Sequence, residues 1–147
     1  GLSVSEVNVG RKRLVASHLL TPHDNMLIYP TVQEFLLIAV KYFFPALPGA
    51  PTQGLPTSYA AAPLRKEFSG EDSSGALVPV WPDVNGEVRG YAFEPIYKSA
   101  PFAAKQDKEL YQYLVLLDAI RGGRARERKM AADLLTKWLR GANDSES

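Results

Sequence analysis

The sequence predicts an α+β fold that is mostly helical. Apolar residues recur at helical spacing near both ends of the chain. An Asn85-Gly86 turn separates two short β-prone runs in the middle, and a proline-dense stretch at residues 45–63 precedes them. With 147 residues and 46% apolar content, the chain can build the core of one ordinary domain, or of a small domain plus part of another.

The first element is a helix over residues 3–20. Ser3 is a good N-cap, and Glu6, three residues later, completes a capping box. Val7, Leu14 and Val15 form one apolar stripe, surrounded by Asn8, Arg11, Lys12 and Arg13. This pattern reads as the second half of a helix-turn-helix, one side packed and the other offering amide and cationic groups to DNA. Ser5, Asn8 and Lys12 would lie nearest the bases. Arg11 and Arg13 would meet phosphates, unless one of them turns inward. A solvated amphipathic helix with three basic residues has the same pattern, so both readings stand. No helix precedes Gly1 to pack against this one, so the chain is expected to lack the first helices of its domain. Thr21-Pro22-His23-Asp24-Asn25 is a turn, and Met26-Leu27-Ile28-Tyr29 is the returning strand of a small wing.

Pro30 suits the first turn of a helix, and residues 31–44 are apolar almost all round. Leu36, Val40 and Phe43 share one face, beside Phe35, Ile38 and Tyr42. Such a helix is buried on several sides or forms an oligomer interface. Residues 1–44 therefore read as the remnant of a DNA-binding domain plus a linking helix, and residues 45–140 as a C-terminal domain. Within that domain, residues 45–63 form an extended, ordered wrap, too apolar for a free linker. Phe68 to Ala76 is rich in Ser, Gly and acids and is expected to be the most mobile stretch. Leu77 to Pro82 is an edge strand, because its prolines exclude a central position. Asp83-Val84-Asn85-Gly86 turns it into Val88–Tyr97, giving a two-stranded hairpin. Asp107 caps a helix with Leu110, Tyr113, Leu114, Leu117 and Ile120 on one face, and Gly122-Gly123 ends it. A second helix from about Arg124 to Leu139 turns Met130, Leu134, Leu135 and Trp138 inward, so the two make an αα-hairpin. Residues 141–147 read as a disordered, solvated tail.

Several blocks carry a resemblance. They are Leu2-Ser3-Val4-Ser5-Glu6-Val7, Lys12-Arg13-Leu14, Lys41-Tyr42-Phe43-Phe44-Pro45, Thr52 to Leu64, Val80-Trp81-Pro82-Asp83, Gly86 to Gly90, Tyr97 to Pro101 and Asp118 to Arg128. Together they cover most of the chain. The sequence resembles a set of bacterial proteins with an N-terminal winged-helix domain of the broad MarR/ArsR-like kind. The resemblance implies a partial winged helix-turn-helix whose DNA-binding helix is joined to a C-terminal domain, with no particular activity attached.

Composition narrows the chemistry. There is no cysteine, which excludes disulfides, thiolate metal sites and cysteine nucleophiles, and fits a reducing cytoplasm. No apolar run approaches the ~20 residues that span a bilayer, so no membrane partner is expected. Net charge is +1, too small to argue for nucleic acid alone, yet both ends are basic and the middle is acidic. Arg124, Arg126 and Arg128 stand at a helix N-terminus, where they would either grip an anion or pair with Asp118, Glu127 or other acids. His18 and His23, the only histidines, are too poorly spaced to suggest a metal site. Trp81, Tyr91, Phe93 and Tyr97 would form either a stacking platform for single strands or the packing of a small hairpin. No phosphate loop, nucleophile elbow or zinc-protease pattern is present, so neither an enzyme nor a cofactor is expected. The expected partners are double-stranded DNA and a second copy of the chain. The alternative is a module that binds another protein through the wrap and the acidic centre.

Overall fold

The computed structural model describes residues 1–69 and 75–146 and shows an α+β protein, mostly helical, with one small three-stranded sheet. Most of the stretch expected to be mobile, residues 70–74, lies outside the described residues. Helix α1 spans Val4–Ala16. A continuous helical rod follows, made of α2 (Tyr29–Glu34), a π turn (Phe35–Ala39) and α3 (Val40–Phe43). Pro30 sits in its first turn, as its fixed φ favours, and the rod stops before Pro45.

The proline-dense wrap contains a strand that its composition conceals, β1 (Pro51–Pro56). Strands β2 (Val78–Pro82) and β3 (Val88–Ala92) each pair antiparallel with β1. The expected hairpin is not formed. β2 and β3 run parallel to each other, Val78 opposite Gly90 and Val80 opposite Ala92, so the three strands close on themselves. Glycine makes this possible. Gly54 pairs with both Pro82 and Val88, and a Cβ there would lie 2.0 Å from the Trp81 carbonyl oxygen. A Cβ on Gly86 would lie 2.4 Å from the Cα of Gly54. The Asn-Gly turn therefore folds down onto β1 and does not send the chain back along β2.

The remaining elements are α4 (Arg65–Phe68), an unanticipated α5 (Ala100–Gln106) with Pro101 in its first turn, α6 (Lys108–Gly122) and α7 (Ala125–Glu146). Asp107 caps α6, its carboxylate accepting from Leu110 N at 3.0 Å. Of the five residues assigned to the inner face of α6, only Ile120 is fully buried; Val115, Leu116 and Ala119 lie deeper. The cause is that α6 is enclosed from two sides. Its Val115, Leu116, Ala119 and Ile120 join Val40, Leu64, Phe68, Ala131, Leu135 and Leu139 in the main core. Its Tyr111 and Leu114 pack on a second core of Trp81, Phe93 and Ala104. Helix α7 continues through Glu146, past the point where a solvated tail was expected.

Between the two cores lies a buried polar knot. Asp118 is 1% exposed. Its Oδ2 accepts from Thr57 Oγ1 and Trp81 Nε1, both at 2.7 Å, and its Oδ1 from Arg121 at 2.6 Å. Arg121 in turn donates to the carbonyls of Phe44, at 2.9 Å, and Glu94, at 3.3 Å. Among the described residues, no buried side-chain polar atom lacks a partner.

Three substitutions test these contacts. Gly54→Ala drives a methyl into the Trp81 carbonyl and should lower unfolding free energy by at least ~2 kcal/mol. Gly10→Ala, in open space on α1, should raise it by about 0.5–1 kcal/mol; urea titration reads both. Asp118→Ala strands a buried guanidinium and should cost about 3–5 kcal/mol. A loss below 1 kcal/mol in the same titration would show that the knot contributes little.

Candidate functional site

Helix α1 is built as its sequence demands. Ser3 Oγ accepts from Glu6 N at 3.2 Å, and Glu6 Oε2 accepts from Ser3 N at 2.8 Å, completing the capping box. That bond to the Ser3 backbone, followed by the Ser3 hydroxyl, holds the Glu6 carboxyl below its usual value. At the other end the Ser17 hydroxyl donates to Arg13 O at 2.6 Å, and His18 adopts a left-handed φ of 58° that turns the chain out of the helix. A short antiparallel return follows, with Thr21 N donating to Met26 O at 2.9 Å and Ile28 N to Leu19 O at 3.0 Å. It amounts to one isolated bridge, Leu20 to Leu27, and Tyr29 already belongs to α2. The expected strand Met26–Tyr29 is thus cut short by the helix that Pro30 initiates.

The five residues singled out for DNA divide into three groups. Ser5, Asn8 and Lys12 follow at intervals of three and four on α1, which puts them on one face, and all three are exposed. Arg11 turns the other way. Its Nε donates to Asn25 Oδ1 and one Nη to Pro22 O at 2.8 Å, tying the helix to the turn. Arg13 is exposed and, together with Ser5, lines a shallow groove with Leu2, Val9 and Tyr97. The apolar stripe is less packed than its periodicity suggests: Val7 and Leu14 stay exposed and Val15 is half-buried. What the pattern missed is the role of Asn25, whose φ of 56° forms the turn that receives Arg11. Its place in a Pro-His-Asp-Asn cluster was the available signal.

The basic cluster at the start of α7 is organised around a carboxylate. Glu127, 2% exposed, accepts from Arg124 N at 2.8 Å and from the Arg124 guanidinium at 2.8 and 3.1 Å. The place an external anion would take at this helix N-terminus is held by the chain's own side chain. The Arg124 guanidinium lies over the Tyr59 ring at 6.0 Å and that of Arg126 over the Phe68 ring at 5.0 Å, while Arg128 is exposed. Close by, burial pushes the Tyr91 hydroxyl well above its ordinary value, and Tyr59 adds to the shift.

The four aromatics considered as a stacking platform are not brought together on a surface. Trp81 and Phe93 are buried in the second core, where Trp81 packs against Tyr111 with ring centroids 5.6 Å apart. Asp83 pairs with Lys105. Among the described residues, no three His, Asp or Glu side chains are grouped to hold a metal ion, and no helix is long and apolar enough to cross a membrane. Comparison with protein-family models, curated proteins and solved structures finds no match.

The Glu127 cap is separable by mutation. Glu127→Ala leaves the Arg124 N–H unmet and should cost about 1–3 kcal/mol. Glu127→Gln keeps an acceptor and should cost less than half as much, as thermal unfolding would show; equal losses would assign the effect to the ion pair alone.

Proposed function

We propose that the chain is a sequence-specific DNA-binding regulator that works as a homodimer and places α1 in the major groove. The observation that carries this reading is the exposed face of Ser5, Asn8 and Lys12 on a helix whose following turn is fastened to it by Arg11. A helix about 10–12 Å across fits a major groove about 12 Å wide. Asn8 supplies the paired donor and acceptor that suit adenine, Ser5 a hydroxyl that suits any base, and Lys12 a cation for guanine or phosphate. With Arg11 occupied, the phosphate contact on this helix falls to Arg13. The Arg11 tie makes helix and turn one unit, so the turn at His23 follows α1 against the backbone in the manner of a small wing. The alternative is a module that binds another protein, and no DNA, through the proline-dense wrap and the acidic centre.

Titration onto fluorescent duplexes selected from a randomised pool tests the reading. Arg13→Ala should weaken binding on all sequences and lower the slope of log K against log salt by about one. Asn8→Ala should instead lose about 1–3 kcal/mol of discrimination at one base position. Absence of binding to any duplex at low salt would overturn the proposal.

A further inference from the structure

Asn85-Gly86, the chain's one Asn-Gly pair, is chemically labile. The glycine's backbone nitrogen can lose its proton to water or hydroxide and attack Cγ of the asparagine. That C–N bond forms, the side-chain nitrogen leaves as ammonia, and a cyclic imide results. Water then opens the imide at one carbonyl to give aspartate, or at the other to give isoaspartate. The reaction needs no oxidant, reductant or further reactant. Glycine favours it because no Cβ shields the nitrogen or restricts the rotation that the attack requires. Asn85 is exposed, so water reaches the site freely.

What the fold withholds is the nucleophile. Gly86 N donates to Asp83 O at 2.9 Å, and Asn85 N donates to Asp83 Oδ1 at 2.9 Å. Asp83 is itself anchored twice. Its N–H donates to Gln53 O of β1 at 3.0 Å, and its carboxylate pairs with Lys105 of α5. Gly86 is seated against β1, where a Cβ on it would lie 2.4 Å from Gly54 Cα and 2.5 Å from Gly54 N. Neither Asn85 nor Gly86 takes the left-handed φ of a free Asn-Gly hairpin turn. To reach Cγ, the Gly86 nitrogen must leave Asp83 and rotate a peptide plane that rests on Gly54. The turn must first lift from β1.

We propose that Asn85 is a modification site gated by closure of the sheet. It stays asparagine while the turn sits on Gly54, and converts through the imide when the turn lifts. The isoaspartate product has the larger consequence. It routes the backbone through the former side chain and adds one carbon between Cα of residue 85 and the Gly86 nitrogen. A turn seated backbone to backbone on Gly54 cannot take up that atom and keep its seat. Opening of the sheet thus becomes irreversible once isoaspartate has formed. The site marks chains whose sheet has opened, whether or not the molecule binds DNA.

The test incubates the whole chain at mildly alkaline pH beside a peptide of residues 80–90. Peptide mapping follows the asparaginyl, aspartyl and isoaspartyl forms. Conversion in the folded chain should run at least about tenfold slower than in the peptide, since it proceeds only from an opened state. In urea beyond the unfolding transition it should match the peptide in the same urea. The converted mixture is then refolded and separated by size. Aspartyl chains should return to the compact fraction and isoaspartyl chains should not, although both carry the same new charge. A folded chain that converts as fast as the peptide overturns the proposal. So does an unfolded chain as slow as the folded one, which would assign the protection to local sequence. Isoaspartyl chains that refold as readily as aspartyl chains overturn the irreversible step, and exclusion of both forms would assign that step to charge and overturn it too.

Discussion

The carboxylate of Asp118 is the point on which the C-terminal part of the molecule converges. It joins the end of β1, through Thr57, to β2, through Trp81, and to α6, through Arg121. Burial pushes its carboxyl upward, and Thr57, Arg121 and Trp81 each pull the other way. An isolated charge at 1% exposure could not persist there. What makes it tolerable is that its known neighbours are all donors, and that Arg121 passes its remaining N–H groups to two backbone carbonyls. Those carbonyls belong to Phe44 and Glu94, segments with no regular structure of their own. The knot thus gives directional bonds to stretches of chain that helix and strand ladders leave out, which apolar packing alone does not do.

This arrangement explains why the glycines matter where they do. A sheet of three short strands has little surface to bury, so it closes tightly and packs Trp81 and Phe93 against α6. Tight closure brings backbone against backbone at Gly54, Gly86 and Gly90, where a Cβ would approach other backbone atoms to between 2.0 and 2.4 Å. Next to the same core, Gly122 leaves room for the Phe93 ring, which a Cβ would approach to 2.7 Å. Helix α1 stands outside this system. None of its residues is fully buried, and its stability depends on its two caps and on the Arg11 tie. It belongs to the low-stability end of the molecule, where binding segments are commonly found.

Much of this was legible in the sequence, and the failures have physical causes. Ser3, Asp107 and Gly123 mark helix ends because capping is a local affair settled within four residues. On α7 the 3.6-residue period found Leu135, while Met130, Leu134 and Trp138 are only partly buried against the core and the buried Ala131 and Leu139 were missed. The sheet was not legible. Asn85-Gly86 is a strong hairpin signal, yet its outcome was decided by Gly54, some thirty residues earlier, which lets the turn settle on β1. Strand β1 itself lies between two prolines and carries no alternation. The buried pair Asp118–Arg121 was equally hidden, since two charges three apart on a helix read as a solvated surface pair. At the candidate site the helix and its exposed face were readable, but the orientation of Arg11 was not, because its acceptors lie in the turn.

The α2–α3 rod carries the chain from the turn beside α1 into the main core. It begins at Tyr29, directly after the turn that Arg11 fastens to α1, and ends at Phe43. At about 1.5 Å per residue it spans roughly 22 Å, somewhat less through the π turn. The π turn, Phe35–Ala39, lies midway along the rod and shifts the side chains beyond it around the axis by part of a turn. That shift determines which residues of α3 face the main core, as Val40 does, and which are left to water, as Tyr42 and Phe43 are. A regular α-helix would rotate all of α3, Val40 and the aromatic residues together, relative to α2. The π turn thus sets the register between α2 and the face of α3 that turns Val40 into the core.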